Sequence, residues 1–159
     1  RTECLRITLA SKYPGLIHYS KKSVSKVFNK NPYAKKVRRS ACYTITLYQK
    51  NISKRLGIPA GNRRYAIFKT PTWIFKNKMH LLNFIRGLFE AEGSLSIHLP
   101  TCTYNFQFSN KNESLLNEVQ KSLIKLGFHP ERRINSVRLR KKLEVGMFKK
   151  LISFRKYDK

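Results

Sequence analysis

Apolar and polar positions alternate along Leu5-Arg6-Ile7-Thr8-Leu9, the period of a half-buried strand. Pro14-Gly15 breaks that run. Leu16, Ile17, Val24, Val27 and Phe28 then recur at helical spacing, with Lys21, Lys22 and Lys26 outside. Asn31-Pro32 closes the helix. Val37 to Tyr48 reads as a hairpin: basic Lys35, Lys36, Arg38 and Arg39, then Tyr43-Thr44-Ile45-Thr46-Leu47 with period two. A short helix over 49–56 ends at Gly57 and Pro59. Residues 60–79, with Gly61, Pro71 and Trp73, read as a connector.

A strongly apolar helix is predicted from His80 to Ala91. Two alternating segments follow, Leu95 to Leu99 and Tyr104 to Ser109. A helix over 113–126 carries Leu115, Leu116, Val119, Leu123, Ile124 and Leu126, and Gly127 stops it. Arg133 to Leu143 reads as a hairpin turning at Asn135-Ser136, and Met147 to Phe154 as a last short helix. Strand parity then sorts the side chains. Leu95, Ile97, Leu99, Phe106, Phe108, Val137 and Leu139 are expected inward. Ser94, Ser96, His98, Asn105, Gln107, Ser109, Arg138 and Arg140 are expected outward, as are Arg6, Thr8, Thr44 and Thr46 in the first half.

The two halves share an order of elements, so one unit is used twice. Thr8-Leu9-Ala10-Ser11-Lys12 corresponds to Phe108-Ser109-Asn110-Lys111, and the second copy begins with a helix that the first lacks. The predicted class is α+β. Residues 1–59 form an N-terminal repeat without its first helix, 60–79 the connector, and 80–159 a C-terminal repeat opened by helix 80–93.

Charge narrows the partners. The 159 residues carry 34 Lys and Arg against 8 Asp and Glu, a formal net charge of +26. Every Asp, Glu, Lys or Arg between Cys4 and Phe89 is basic. At 41% hydrophobic and 12% aromatic residues, the chain can fill a core, which a disordered basic tail cannot. A folded surface so positive repels itself unless a polyanion binds it, and nucleic acid is the first candidate. An anionic membrane surface is the rival, but no long amphipathic basic helix supports it and no apolar run spans a bilayer. Cys4, Cys42 and Cys102 have no metal-ligand or redox spacing. They read as reduced thiols of an intracellular protein. The abundance of Lys, Asn, Ile, Phe and Tyr hints at an AT-rich genome, either an organelle or a prokaryotic cytoplasm.

Candidate chemistry sits in Ile85-Arg86-Gly87-Leu88-Phe89-Glu90-Ala91-Glu92-Gly93. Gly87 and Ala91 are four apart, so a second helix could approach that face at backbone distance. Gly93 suits the left-handed turn that ends a helix. Glu92 lies at the negative end of the helix dipole, where a carboxylate calls for a compensating cation; a divalent metal would supply one, and a solvated turn residue is the alternative reading.

These nine residues resemble the signature helix of the LAGLIDADG homing endonucleases: Gly87, Leu88, Ala91 and Gly93 match its letters, Glu90 and Glu92 replace Asp, Phe89 and Ile85 are apolar replacements, and Arg86 departs from the small residue expected. The segments Phe108 to Gly127 and Leu47 to Pro59 are similar to the family too. The resemblance implies two pseudo-symmetric αββαββα repeats whose antiparallel or mixed sheets form a saddle over double-stranded DNA, with signature helices paired through Gly87 and Ala91. It implies a site-specific, intron- or intein-encoded endonuclease that cuts both strands with Mg2+ or another divalent cation. Glu92 and the Ala91 carbonyl would be metal ligands, and Lys111 and Lys12 would be basic catalytic residues near the phosphates. The outward side chains named above, with Arg38, would contact DNA. Asn, Gln and Arg can read base edges, and the arginines are equally suited to phosphate.

Glu92 precedes Lys111 by 19 residues, and the same spacing back from Lys12 reaches position −7, outside the numbered chain. The first signature helix and its carboxylate are therefore expected upstream of the numbering. A degenerate reading frame, or two chains pairing their Glu92 helices as a dimer, are the alternatives to an intact monomer. Two other functions compete with the nuclease. One is a non-catalytic binder on the same fold, either an RNA maturase on intron RNA or a DNA-binding regulator. The other is a basic ribosomal protein, which would need no acid at that turn.

Overall fold

The structure is a computed structural model, and it describes residues 1–155 and 157. Its elements, in chain order, are β1 (Thr2–Ala10), α1 (Pro14–Phe28), β2 (Tyr33–Lys36), β3 (Cys42–Lys50), α2 (Ile52–Leu56), α3 (Thr72–Lys76), α4 (Lys78–Glu92), β4 (Gly93–His98), β5 (Thr103–Ser109), α5 (Glu113–Lys125), β6 (Glu131–Arg133), β7 (Ser136–Leu139) and α6 (Lys142–Ile152). They form two compact units, residues 1–60 with the described residues from 155 on, and residues 61–154. Of the C-terminal repeat read from the sequence, residues 156, 158 and 159 lie outside the described residues.

The first unit is a three-stranded sheet, ordered β1-β3-β2, with α1 and α2 on one face. Its core joins Val24 and Phe28 of α1, Leu47 of β3 and Ile52 of α2, with Leu5 and Ile7 packed against them. Pro14 does more than interrupt β1: it opens α1, where its missing N–H is no loss. Asn29 ends α1 in the left-handed region at φ 50°, two residues before Asn31-Pro32. Val27, predicted apolar-face, is exposed. The hairpin starts earlier than its sequence pattern suggests: Tyr33–Lys36 is the first strand, and Val37 to Ala41, with Arg38, form the turn.

The second unit is a four-stranded sheet, β4-β5-β7-β6, under α4, α5 and α6. Phe89 of α4 is the hub of its core. Its ring meets Phe106 at 5.3 Å, Phe108 at 5.6 Å and Phe148 at 4.9 Å between centroids. The pairs with Phe106 and Phe148 are edge-to-face, a geometry that adds about 0.5–1.5 kcal/mol each beyond burial. The segment before α3 is bound to this unit. Asn112, the N-cap of α5, donates through its amide to the carbonyls of Arg63 and Ala66, and Glu118 accepts from the Thr70 N–H at 3.0 Å. The last helix starts at Lys142 and the last hairpin turns at Ile134-Asn135.

Every strand pair is antiparallel, so the sheets are not mixed. The order β1-α1-β2-β3-α2 repeats as β5-α5-β6-β7-α6, and the strand order β1-β3-β2 repeats as β5-β7-β6. Only the second unit has a helix and strand, α4 and β4, ahead of that run. The repeat extends to single bonds. The Ser11 N–H donates to the Ala41 carbonyl at 2.8 Å, and the Asn110 N–H to the Asn135 carbonyl at 3.0 Å. Each bond ties the end of a strand to the turn of the following hairpin, one residue before Lys12 or Lys111.

Candidate nucleic-acid interface and carboxylate site

Period two on paired strands fixes which residues share a face, and partners opposite each other in register lie on the same side. On the first sheet, the uncovered face holds the rows Arg6–Thr46–Tyr33 and Thr8–Thr44–Lys35. Ile45 and Leu47, on the other face, are buried. Arg6, Thr8, Thr44 and Thr46 are thus where parity put them. Tyr33 and Lys35 join them because of the earlier hairpin start. Arg38 is displaced from this face to the exposed hairpin turn.

On the second sheet, the matching face holds Ser94–Gln107–Arg138–Glu131, Ser96–Asn105 and Ser109–Ser136–Arg133. Side chains on β5 are linked along the strand. Asn105 donates to Gln107 at 3.3 Å, and Gln107 donates to Ser109 at 2.8 Å. The Asn105 Oδ1 is buried without a partner among the described residues. Such a lone acceptor costs free energy unless a ligand or water reaches it. His98 is on this side but bonds locally to the Thr101 hydroxyl at 2.7 Å. Arg140 is exposed just past β7.

Parity fails at one end of β4. Ile97 and Leu99, expected inward, are 48% and 69% exposed. The strand is at the sheet edge, and Leu99 has left it for a short 3-10 turn over Leu99–Thr101, beyond the reach of the covering helices.

Three of the acids are held elsewhere in the fold, by Ser53, Thr70 and His129. Glu3 accepts from the Ser53 hydroxyl and N–H at 2.6 Å each, and these bonds hold its carboxyl below the usual range. For Glu118 and Glu144 burial pushes the pKa up, but bonds from Thr70 and Lys121, and from His129 and Lys141, outweigh it and leave both lowered. Arg133 and Arg138 on this face, and Arg6 and Lys35 on that of the first sheet, are cations suited to phosphate.

Glu92 ends α4 at the foot of this face. Gly93 opens β4 opposite Phe108, so the start of β4 and the end of β5 meet. Asn110, just past β5, reaches back and donates its amide to the Glu92 carboxylate at 2.5 Å. The Asn110 Oδ1 accepts from the Asn112 N–H at 2.8 Å, and its own N–H holds Asn135, so the amide is fixed at three points. Lys111 follows it, exposed; Lys12 occupies the same place in the first unit, its ammonium 4.9 Å from the Tyr13 ring centroid.

Asn110 is a functional position that no sequence pattern marks. It lies beyond the strand end, where period two says nothing, and its carboxylate partner is 18 residues away.

Gly93 is required for a different reason from the one expected. Its backbone is extended, at φ −82° and ψ 148°, not left-handed. A side chain there would put Cβ 2.4 Å from the Phe89 carbonyl oxygen and 2.9 Å from the Phe89 Cα. Gly87 and Ala91 are exposed, and a Cβ added at Gly87 would meet nothing within 4 Å. The helix pairing expected through them is thus not seen among the described residues. Arg86 works within its own unit: it donates to the Ile152 carbonyl at 2.6 Å, at the C-terminus of α6 where a cation is favoured.

Residues 79–154 match the model of a family described as LAGLIDADG-like domain. This stretch, within the second unit, is a LAGLIDADG-like domain. Solved structures of the homing endonuclease I-DmoI share the fold. Mesophilic variants of it align over 95% of this chain and 80% of that one, at 20% identity and a TM-score of 0.60. Its complex with DNA and Mn covers 92% and 80% at 18% identity, TM-score 0.57. A variant bound to its target DNA with Mg covers 98% and 83% at 19% identity, TM-score 0.59. No curated protein matches the chain in sequence. Among the described residues, no helix is long and apolar enough to cross a membrane.

Proposed function

We propose that the protein is a site-specific, intron- or intein-encoded DNA endonuclease that hydrolyses phosphodiesters in both strands of a long duplex with a divalent cation. The observation that carries this is the Glu92 carboxylate. It is fixed by Asn110 at the edge of a polar, basic sheet face, in a LAGLIDADG-like domain.

The donor set fits a magnesium-type ion. Such ions take oxygen ligands, keep several waters and are held by one or two carboxylates plus substrate phosphates, not by a closed protein cage. Glu92 and the Ala91 carbonyl are the oxygens this unit offers, and among the described residues no three His, Cys, Asp or Glu side chains converge. When bound, the ion would neutralise charge on phosphate oxygens and lower the pKa of a bound water. Asn110 keeps Glu92 in one orientation. Lys111, and Lys12 in the first unit, stabilise negative charge on the phosphates flanking the cut. Arg6, Thr8, Thr44 and Thr46 on one sheet, and Ser94, Ser96, Asn105, Gln107, Ser109 and Arg138 on the other, contact the duplex, with His98, Arg38 and Arg140 towards the rims.

The second reading is a non-catalytic nucleic-acid binder, an RNA maturase or DNA-binding regulator. It is favoured by the single carboxylate at the site. The two separate in one experiment. A randomised duplex library in a supercoiled plasmid is incubated with the protein in Mg2+, and linear products are sequenced. The nuclease reading expects cuts at one recurrent sequence, lost on addition of a chelator. No cutting, with tight Mg2+-independent binding to structured intron RNA, would replace it with the second.

A further inference from the structure

We propose that Arg138 and Glu131 together read one G·C base pair, with Glu131 both fixing the arginine and accepting from the cytosine. This rests on the DNA-binding reading above and names a residue and a base-pair class within it.

Arg138 on β7 and Glu131 on β6 are direct partners in register, in the row that also holds Gln107 and Ser94. The Arg138 Nε donates to the Glu131 Oε2 at 3.1 Å, and one terminal nitrogen lies 3.0 Å from the same oxygen as an ion pair. Arg133, two residues along β6, brings a nitrogen to 3.7 Å from the same oxygen. The arginine side chain is 21% exposed and the glutamate 44%, so both ends are accessible on the polar face.

The pairing has a cost for a phosphate anchor. A carboxylate beside a guanidinium cancels most of its charge, so the couple attracts phosphate poorly. Glu131 is also one of only 8 acids in a chain of net charge +26, and it shares its face with Arg133 and Arg138. What the couple offers instead is geometry. A guanidinium has five N–H donors in a planar fork. With Nε and one terminal nitrogen committed to Oε2, the second terminal nitrogen is held in one direction. The Glu131 Oε1, unbonded among the described residues, presents an acceptor next to that donor. The major-groove edge of G·C shows the complementary order: O6 and N7 acceptors on guanine, an N4 amino donor on cytosine. T·A repeats the O6–N4 order through its O4 acceptor and N6 donor but puts a methyl group where guanine has N7, so a further guanidinium N–H directed at N7 is what singles out G·C.

The test uses the full chain and a library of randomised duplex DNA, bound in Ca2+ and sequenced after selection, for the wild type and for Glu131→Gln, Glu131→Ala and Arg138→Ala. The wild type should select a site containing a fixed G·C pair. All three variants should lose discrimination at that one position by roughly 5- to 100-fold, leaving the other positions as they were. Glu131→Ala and Glu131→Gln should also bind unrelated duplex more tightly, with a salt slope steeper by about one phosphate contact. Unchanged melting temperatures would show that the fold is intact. A wild-type site that all three variants select with the same preferences overturns the inference and leaves DNA binding standing. A uniform loss of affinity in Glu131→Ala overturns it as well, since that is a structural or phosphate role. Failure of the wild type to bind any duplex refutes the DNA-binding reading itself.

Discussion

Two glycines six residues apart, Gly87 within α4 and Gly93 just after it, are expected to respond to alanine with opposite signs. At Gly93 the new Cβ lands 2.4 Å from a backbone oxygen and 2.9 Å from both the Cα and the Cδ1 of Phe89. Phe89 is buried against three other phenylalanines, so it cannot turn aside. The junction between α4 and β4 must open instead. Overpacking of this kind costs about 1–3 kcal/mol. For a domain of this size each kcal/mol lowers the melting temperature by roughly 4–8 °C. At Gly87 the Cβ meets nothing, and glycine within a helix is worse than alanine by about 0.5–1 kcal/mol. Gly87→Ala should therefore raise the melting temperature by a few degrees while Gly93→Ala lowers it. Differential scanning calorimetry on both variants checks the pair. Equal melting temperatures for Gly93→Ala and the wild type would refute the steric argument. A destabilised Gly87→Ala would mean that something packs on that face in solution, the close helix approach that the motif resemblance implies.

Other outcomes follow from single contacts. Glu118→Gln should flatten the acid limb of stability. The carboxylate's pKa is lowered on folding, so its contribution is complete above the unfolded value of 4.5 and is lost as pH falls through the folded one; melting scans across that range would show the variant losing less stability than the wild type, the remainder coming from Glu3 and Glu144. Phe148→Ala removes the ring that meets Phe89, Phe106 and Phe128, and should cost about 3–5 kcal/mol by denaturant unfolding. Arg86→Ala leaves the Ile152 carbonyl without its charged donor and should cost about 1.5–3 kcal/mol, read the same way, with no change in DNA affinity. Asn110→Ala should cost about 0.5–1.5 kcal/mol through the lost bond from the Asn112 N–H, and slow cleavage at least tenfold by freeing the carboxylate's orientation.

Much of this architecture could be read from periodicity because the strands are half-buried. Ile45, Leu47, Phe106, Phe108, Val137 and Leu139 alternate with polar residues and each is on the face its parity gave it. The same rule named Arg6, Thr8, Gln107 and Arg138 as outward. It failed where a side chain's surroundings depend on remote packing. Ile97 and Leu99 have the right alternation but sit on an edge strand that outruns its cover. Tyr33 to Lys36 has too little apolar character to announce a strand and is held there by β3. The glycine of Glu92-Gly93 suggested a positive φ, whereas space near Phe89 is what demands it. Glu92 was visible through its motif. Asn110 and Glu131 were not, because each acquires meaning only from a partner brought to it by the fold.

The central claim is that Glu92 acts in strand cleavage and not in holding the fold or the DNA. Wild type and Glu92→Gln should be compared on the duplex the wild type selects, with binding followed in Ca2+ and cleavage in Mg2+. The account expects equal melting temperatures, affinities within a few-fold, and cleavage reduced at least a hundredfold, on the order of losing one charge-stabilising group. Cleavage by Glu92→Gln at the wild-type rate would contradict it.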